Sequence, residues 1–341
     1  MAVFAGDSAA FSPKEFKVAI GFEAVTGTAD VDALISLDAD SVGFPSLNPN
    51  QMAEVKTGTG RTAKQVDFFQ SNKATTKEFS VSGTVYSNFI QSLLINLTTA
   101  AVGSGPAGYA VPYNYSPVEV ENETGSISDF TKTFTTVITS PETNSNIVLP
   151  GCVCTNLTFS GDMGTESGRI KYSATFKTGY KPSMSAATSG IGITTLYSAG
   201  TQRFMTDWTG KKTIYGIDDC VIQSFSLSLT NELVVLGYQG SDGDPEVYGR
   251  GSEFVATLDT QVKYDSNTEP LLNSFETQAS GAGATTQLAN HATWSSAANN
   301  GIYFVDGVLT NVAYSEGDVM MLDVSQKAVA IDSGDLIEVI M

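Results

Sequence analysis

Histidine is nearly missing from this chain: His291, set among Ala, Asn and Thr, is 1 residue in 341. A Ser-His-Asp or Cys-His device would have to be built on it, and imidazole-based zinc needs several. A solvated loop histidine is the simpler reading. Cys152, Cys154 and Cys220 are too few and too poorly spaced for a disulfide framework or a four-thiolate zinc site, and they suit a reducing compartment. Cys152 and Cys154 stand two apart, which on a strand puts both thiols on one face. Two small apolar residues under a sheet explain that better than a redox or metal pair. Basic residues number 18 against 36 acids, a formal net charge of -18, which argues against a surface built to grip nucleic acid phosphates. No apolar run reaches the ~18 residues of a membrane span, and Met1 to Lys17 lacks a basic segment leading into an apolar core. The chain is therefore expected to use neither a signal peptide nor a membrane.

Other chemical motifs fail for want of context. Thr57 to Thr62 has the glycines of a phosphate loop, but no Gly-Lys-Ser/Thr follows and no βαβ frame surrounds it. Asp242, Asp244 and Glu246 crowd Gly243 without the loop pattern and closing glutamate of a calcium site, so an acidic turn is the better reading. Glu121 with Glu123, or Asp218 with Asp219, have no setting that marks them as the carboxylates of a glycosidase. No enzyme, metal or cofactor is expected.

What the chain has in quantity is strand and turn. Phe79, Val81, Gly83 and Val85 alternate with Ser80, Ser82 and Thr84, the period of a strand with one buried face. Cys220 to Thr230 alternates likewise, and Ala256, Leu258, Thr260 and Val262 repeat the phase. Asn88 to Leu97 has the spacing of a short helix, and Pro270 to Phe275 stands in the corresponding place later. Val102 to Ser128, rich in Gly, Pro, Tyr and Asn, reads as an insertion, assigned to 98–130. Two stretches read as long loops: Asn48 to Lys77, as loop or hairpin, and Leu233 to Gly251.

One word occurs twice. Thr155-Asn156-Leu157-Thr158-Phe159-Ser160 returns as Thr310-Asn311-Val312-Ala313-Tyr314-Ser315, each followed by a glycine turn and another strand-like run. The order strand, long loop, strand, short helix, insertion, hairpin runs through both halves, which predicts a duplicated β unit with modules at 1–185 and 186–341.

Asp218 to Glu232, followed after an extended loop by Glu253 to Asp265, resembles the tail tube proteins of long-tailed bacteriophages. Phe16 to Thr28 resembles their opening, and Leu149-Pro150-Gly151-Cys152 to Lys177 their mid-chain hairpin. The resemblance implies a mainly β fold of two tandem β-sandwich or half-barrel modules, each with a short helix, closing into a β-barrel tube on oligomerisation. It implies a structural virion protein, made in the host cytoplasm, whose stacked rings form a hollow conduit for DNA. Its implied partners are copies of itself, favouring homotrimeric pseudo-hexameric rings over homohexamers. Tape-measure, tail-terminator and tail-tip proteins and transiently passing double-stranded DNA complete the set. On that reading Lys56, Arg61, Lys64, Lys73, Asp242, Asp244 and Arg250, in the two long loops, are candidate contacts between subunits or rings. The competing reading is a carbohydrate-binding or adhesive double β-sandwich, with Trp208 or Trp294 as a stacking platform.

Overall fold

A computed structural model describes residues 12–31, 34–37, 39–45, 51–53, 68–70, 76–86, 113–115, 133–139, 146–185, 193–194, 202–239, 244–250, 253–278, 283–290, 301–329 and 337–340. Alternating sequences become strands. In chain order these are β1 (Lys17–Phe22), β2 (Leu34–Leu37), β3 (Ser41–Gly43), β4 (Gln51–Ala53), β5 (Phe68–Gln70), β6 (Lys77–Thr84) and β7 (Tyr113–Tyr115). Then follow β8 (Phe134–Thr139), β9 (Asn146–Asp162), β10 (Lys171–Thr178), β11 (Ser183–Ser185), β12 (Ile193–Thr194), β13 (Lys211–Thr213) and β14 (Ile222–Thr230). The remainder are β15 (Leu233–Gln239), β16 (Asp244–Arg250), β17 (Val255–Lys263), β18 (Ala284–Ala289), β19 (Gly301–Ser315), β20 (Met321–Val329) and β21 (Ile337–Ile340). The α-helix among the described residues, α1 (Pro270–Thr277), has Pro270 in its first turn, where a missing N–H costs nothing. It buries Leu271 and fills the place that Pro270 to Phe275 marks in the sequence. The earlier helix expected at Asn88 to Leu97 lies outside the described residues.

Hydrogen bonds link 17 of the strands into one network, with β4–β5 and β15–β16 pairing separately. Two long strands organise it by serving two neighbours in succession. The first part of β9 lies between β8 and β11; beyond Pro150 and Gly151 the same strand lies between β10 and β14. Gly151 permits the turn with φ of +62°, and the Tyr180 ring fills the space a side chain there would need. β19 repeats the device, pairing first with β18 and β21 and then with β20.

Two runs share one order: β6-β10-β9 in the first half and β17-β20-β19 in the second. Both long strands carry their register shift at the repeated word, with Thr155 and Thr310 each left without an opposite residue. One strand pair joins the runs, Asn156 to Asp162 of β9 lying antiparallel to Ser224 to Thr230 of β14. The outcome is a continuous ladder, β3-β6-β10-β9-β14-β17-β20-β19. Among the described residues it stays open, since β3 and the second part of β19 do not pair with each other.

The core lies on one side of this ladder. Phe79 stacks on Phe176 at 5.1 Å, and Phe176 meets Phe134 of the opposing layer edge-on at 5.6 Å. Leu157, Phe159, Leu227, Leu229, Ala256, Leu258, Leu322 and Val324 carry the same apolar cluster into the second half. Fully burying a side chain of this size contributes about 1.5–3 kcal/mol.

One expectation needs correcting. Leu233 to Gly251 is no long loop; β15 and β16 form a hairpin, with Leu233 opposite Arg250 and Gln239 opposite Asp244. Its glycines and Pro245 outweighed Leu233-Val234-Val235 in the sequence reading, yet proline is tolerated on an edge strand. Of the stretch assigned as an insertion, 98–130, the described residues are Tyr113–Tyr115, which pair with β21.

Candidate functional site

The ladder presents two surfaces on which chemistry or assembly can act: its polar face and its open ends. On the polar face, β14 contributes Ser224, Ser226, Ser228 and Thr230, opposite in phase to buried Phe225, Leu227 and Leu229. β9 adds Asn156, Thr158, Ser160 and Asp162; β10 adds Ser173 and Thr175; β6 adds Ser80 and Ser82. Small hydroxyl side chains along strands make a surface that hydrogen-bonds water, hollowed at one place by a cavity of about 260 Å³ lined by Ser160, Asp162, Glu166, Lys171 and Ser224.

Lysines occur on this face, each beside a carboxylate. Lys171 pairs with Glu166 at 2.5 Å, Lys177 with Glu78 and Glu232 at 3.6 and 3.4 Å, Lys263 with Asp265 at 3.2 Å, and Lys327 with Glu253 at 2.8 Å. The Lys171 hydrogen bond holds the Glu166 carboxyl below its ordinary range. Exposed pairs of this kind contribute only about 0–1 kcal/mol to stability. Their larger effect is to leave Asp162, Asp259 and Asp323 as acids in excess on a face whose cations are occupied.

At the open ends, β3 pairs only with β6 and the second part of β19 only with β20, among the described residues. β19 is bare over a defined length. The Gln278 side-chain amide accepts from Leu309 N–H at 3.0 Å and donates to Leu309 O at 3.4 Å, covering the strand up to that point. Beyond it Thr310, Asn311 and Tyr314 are exposed, Tyr314 to 54%. Next to β3, Phe44 is 43% exposed and touches Phe16 edge-on at 5.0 Å. Unpaired edges of this kind are sites of strand addition.

The loop residues named from the sequence are only partly placed. Lys56, Arg61, Lys64, Lys73 and Asp242 lie outside the described residues; Asp244 is exposed at the start of β16, and Arg250 ends it. The β15–β16 hairpin folds back on the chain, where Tyr248 packs on Tyr180 at 5.2 Å and its hydroxyl donates to Gly151 O. Trp208 is buried against Phe225 at 4.9 Å, which removes it as a sugar-stacking platform, while Trp294 and His291 lie outside the described residues. Cys152, Cys154 and Cys220 are buried and not joined in disulfides. No cluster of metal-ligating side chains is found among the described residues, and no described helix is long and apolar enough to cross a membrane. Sequence reading did not locate the open edges, although the alternation Ser224-x-Ser226-x-Ser228 of the polar face was legible.

A family model described as phage tail tube protein matches residues 16–328. No curated protein matches the chain.

Proposed function

Because the chain belongs to the phage tail tube protein family, as a structural component of the virion tail, we propose that it closes rings edge to edge and that the rings stack into a hollow conduit for DNA. The observation that carries this is the continuous ladder with unlike open ends: a β3 edge at one end and a β19 edge at the other. Unlike edges on one chain join head to tail, and head-to-tail contacts close into rings when the rotation allows. Closure removes both edges.

The halves 1–185 and 186–341 act as tandem modules, supported by the shared strand order and by the register shifts at Thr155 and Thr310. Three chains then supply six positions in a ring. The hydroxyl-rich face lines the channel, where paired lysines and surplus acids let the DNA backbone slide past without adhering. Tube ends meet tail-tip and terminator proteins, and the channel holds the tape-measure protein during assembly in the host cytoplasm.

Negative-stain microscopy of the purified protein tests the reading, with ring mass measured in parallel. Rings or hollow tubes containing three chains per ring are expected. Monodisperse single chains at high concentration overturn it, and six chains per ring overturn the tandem count.

A further inference from the structure

The junction between β9 and β14 inside one chain supplies a template for the junction between chains. The two long strands align residue for residue at their register shifts, so that Thr155 corresponds to Thr310, Phe159 to Tyr314 and Ser160 to Ser315. The partners align through β6 and β17. Ser173 faces Ser82 as Asp323 faces Gln261, and Ser82 faces Ser41 as Gln261 faces Ser224. Val42, Gly43 and Phe44 therefore correspond to Phe225, Ser226 and Leu227. Even the irregularity recurs, since β14 shifts register between Ile222 and Ser224 while Asp40 N–H donates to Ser82 O beside the Ser41 pair.

From this correspondence, and resting on the ring assembly proposed above, we infer that β3 of one copy docks antiparallel on the open edge of β19 of the next, with Phe44 opposite Tyr314. Within the chain Phe159 faces Leu227, and both are fully buried. Their counterparts Tyr314 and Phe44 are exposed instead, to 54% and 43%, as expected of a pair whose partner is another copy.

The lengths agree as well. Asn231 N–H donates to Thr155 O where the internal junction ends, and Gln278 covers β19 only as far as Leu309. Pro45 is compatible with this docking. Asn231 N–H bonding Thr155 O and Met163 N–H bonding Gln223 O show that odd-numbered residues of β14 turn their backbone groups toward β9. Pro45 corresponds to Ser228, an even position, so the N–H it lacks would point into its own sheet.

Cysteine pairs test the register. Directly opposed residues lie about 4.5–5.5 Å apart between Cα atoms, within disulfide reach, whereas a diagonal neighbour two residues along lies about 7–8 Å away. The native thiols are buried and do not compete. Mixing Phe44→Cys with Tyr314→Cys chains under mild oxidation is expected to give disulfide-linked dimers, and neither variant alone should do so. Val42→Cys with Glu316→Cys keeps both rings in place and should cross-link equally well; Val42→Cys with Tyr314→Cys should not. In the double variant Phe44→Cys/Tyr314→Cys, oxidation should close whole rings covalently. Preferential linkage of Val42→Cys to Tyr314→Cys overturns the register. Normal tubes in which neither matched pair links overturn the edge pairing while leaving the ring reading intact, and a parent protein that forms no rings overturns both.

Discussion

Cys152 sits wholly buried in β9, donating to Leu149 O at 3.3 Å, and burial pushes its thiol up to about 12, with a hydrogen bond to Thr136 pulling the other way. Its paired spacing with Cys154 was readable in the sequence as core rather than redox chemistry, because two small residues on one strand face need no reactive role. The raised value has a consequence for stability. The folded chain keeps this proton from the ordinary 9.0 up to about 12, while the unfolded chain loses it, so stability is full below pH 9 and falls as pH rises through that window. One such group removes up to about 1.4 kcal/mol per pH unit. Urea unfolding between pH 8 and 11 is expected to show a shallower alkaline decline in Cys152→Ala than in the parent, with Cys220, pushed up to about 11, accounting for part of what remains. Equal slopes in both proteins count against the assignment.

Elements were most legible where one face is buried. Strands β6, β14, β17 and β20 follow the period of two that their apolar residues announce, and the turns at Met163–Gly164 and Glu316 to Asp318 follow the repeated word in each half. The hairpin β15–β16 was not legible, because it buries little of itself and its glycines imitate a loop. Its fixed point is Tyr248, which reaches across to Gly151 and Tyr180, residues made adjacent by long-range folding that no local pattern reports. Gly179 allows the close approach: a side chain there would meet Val235 Cγ1 at 2.8 Å. Replacing residues 235–248 by a short glycine linker should leave subunits with parent-like far-UV circular dichroism that form single rings but do not stack. Tubes of ordinary length from that variant would remove the hairpin from ring stacking.

For the molecule as a whole, the acid excess was plain from composition, but where it falls depends on which side of each strand faces the core. The ladder shows Asp259 and Asp323 on the hydroxyl face, Asp323 accepting from Gln261 at 3.0 Å. Asp259→Lys with Asp323→Lys should leave tube assembly unchanged in microscopy and slow DNA release from particles by severalfold at low salt, with recovery as salt rises and screens the contact. Unaltered release would reduce the charge to a matter of solubility. The β9–β14 junction carries a mechanical consequence. In a ring of such chains, each internal seam has a covalent backbone running past it, while each seam between chains is held by hydrogen bonds and side-chain packing alone. Hoop tension is the same at every seam of such a ring, so failure falls at the weaker, alternate seams, and a tube that bursts should tear along chain boundaries and leave every internal seam whole.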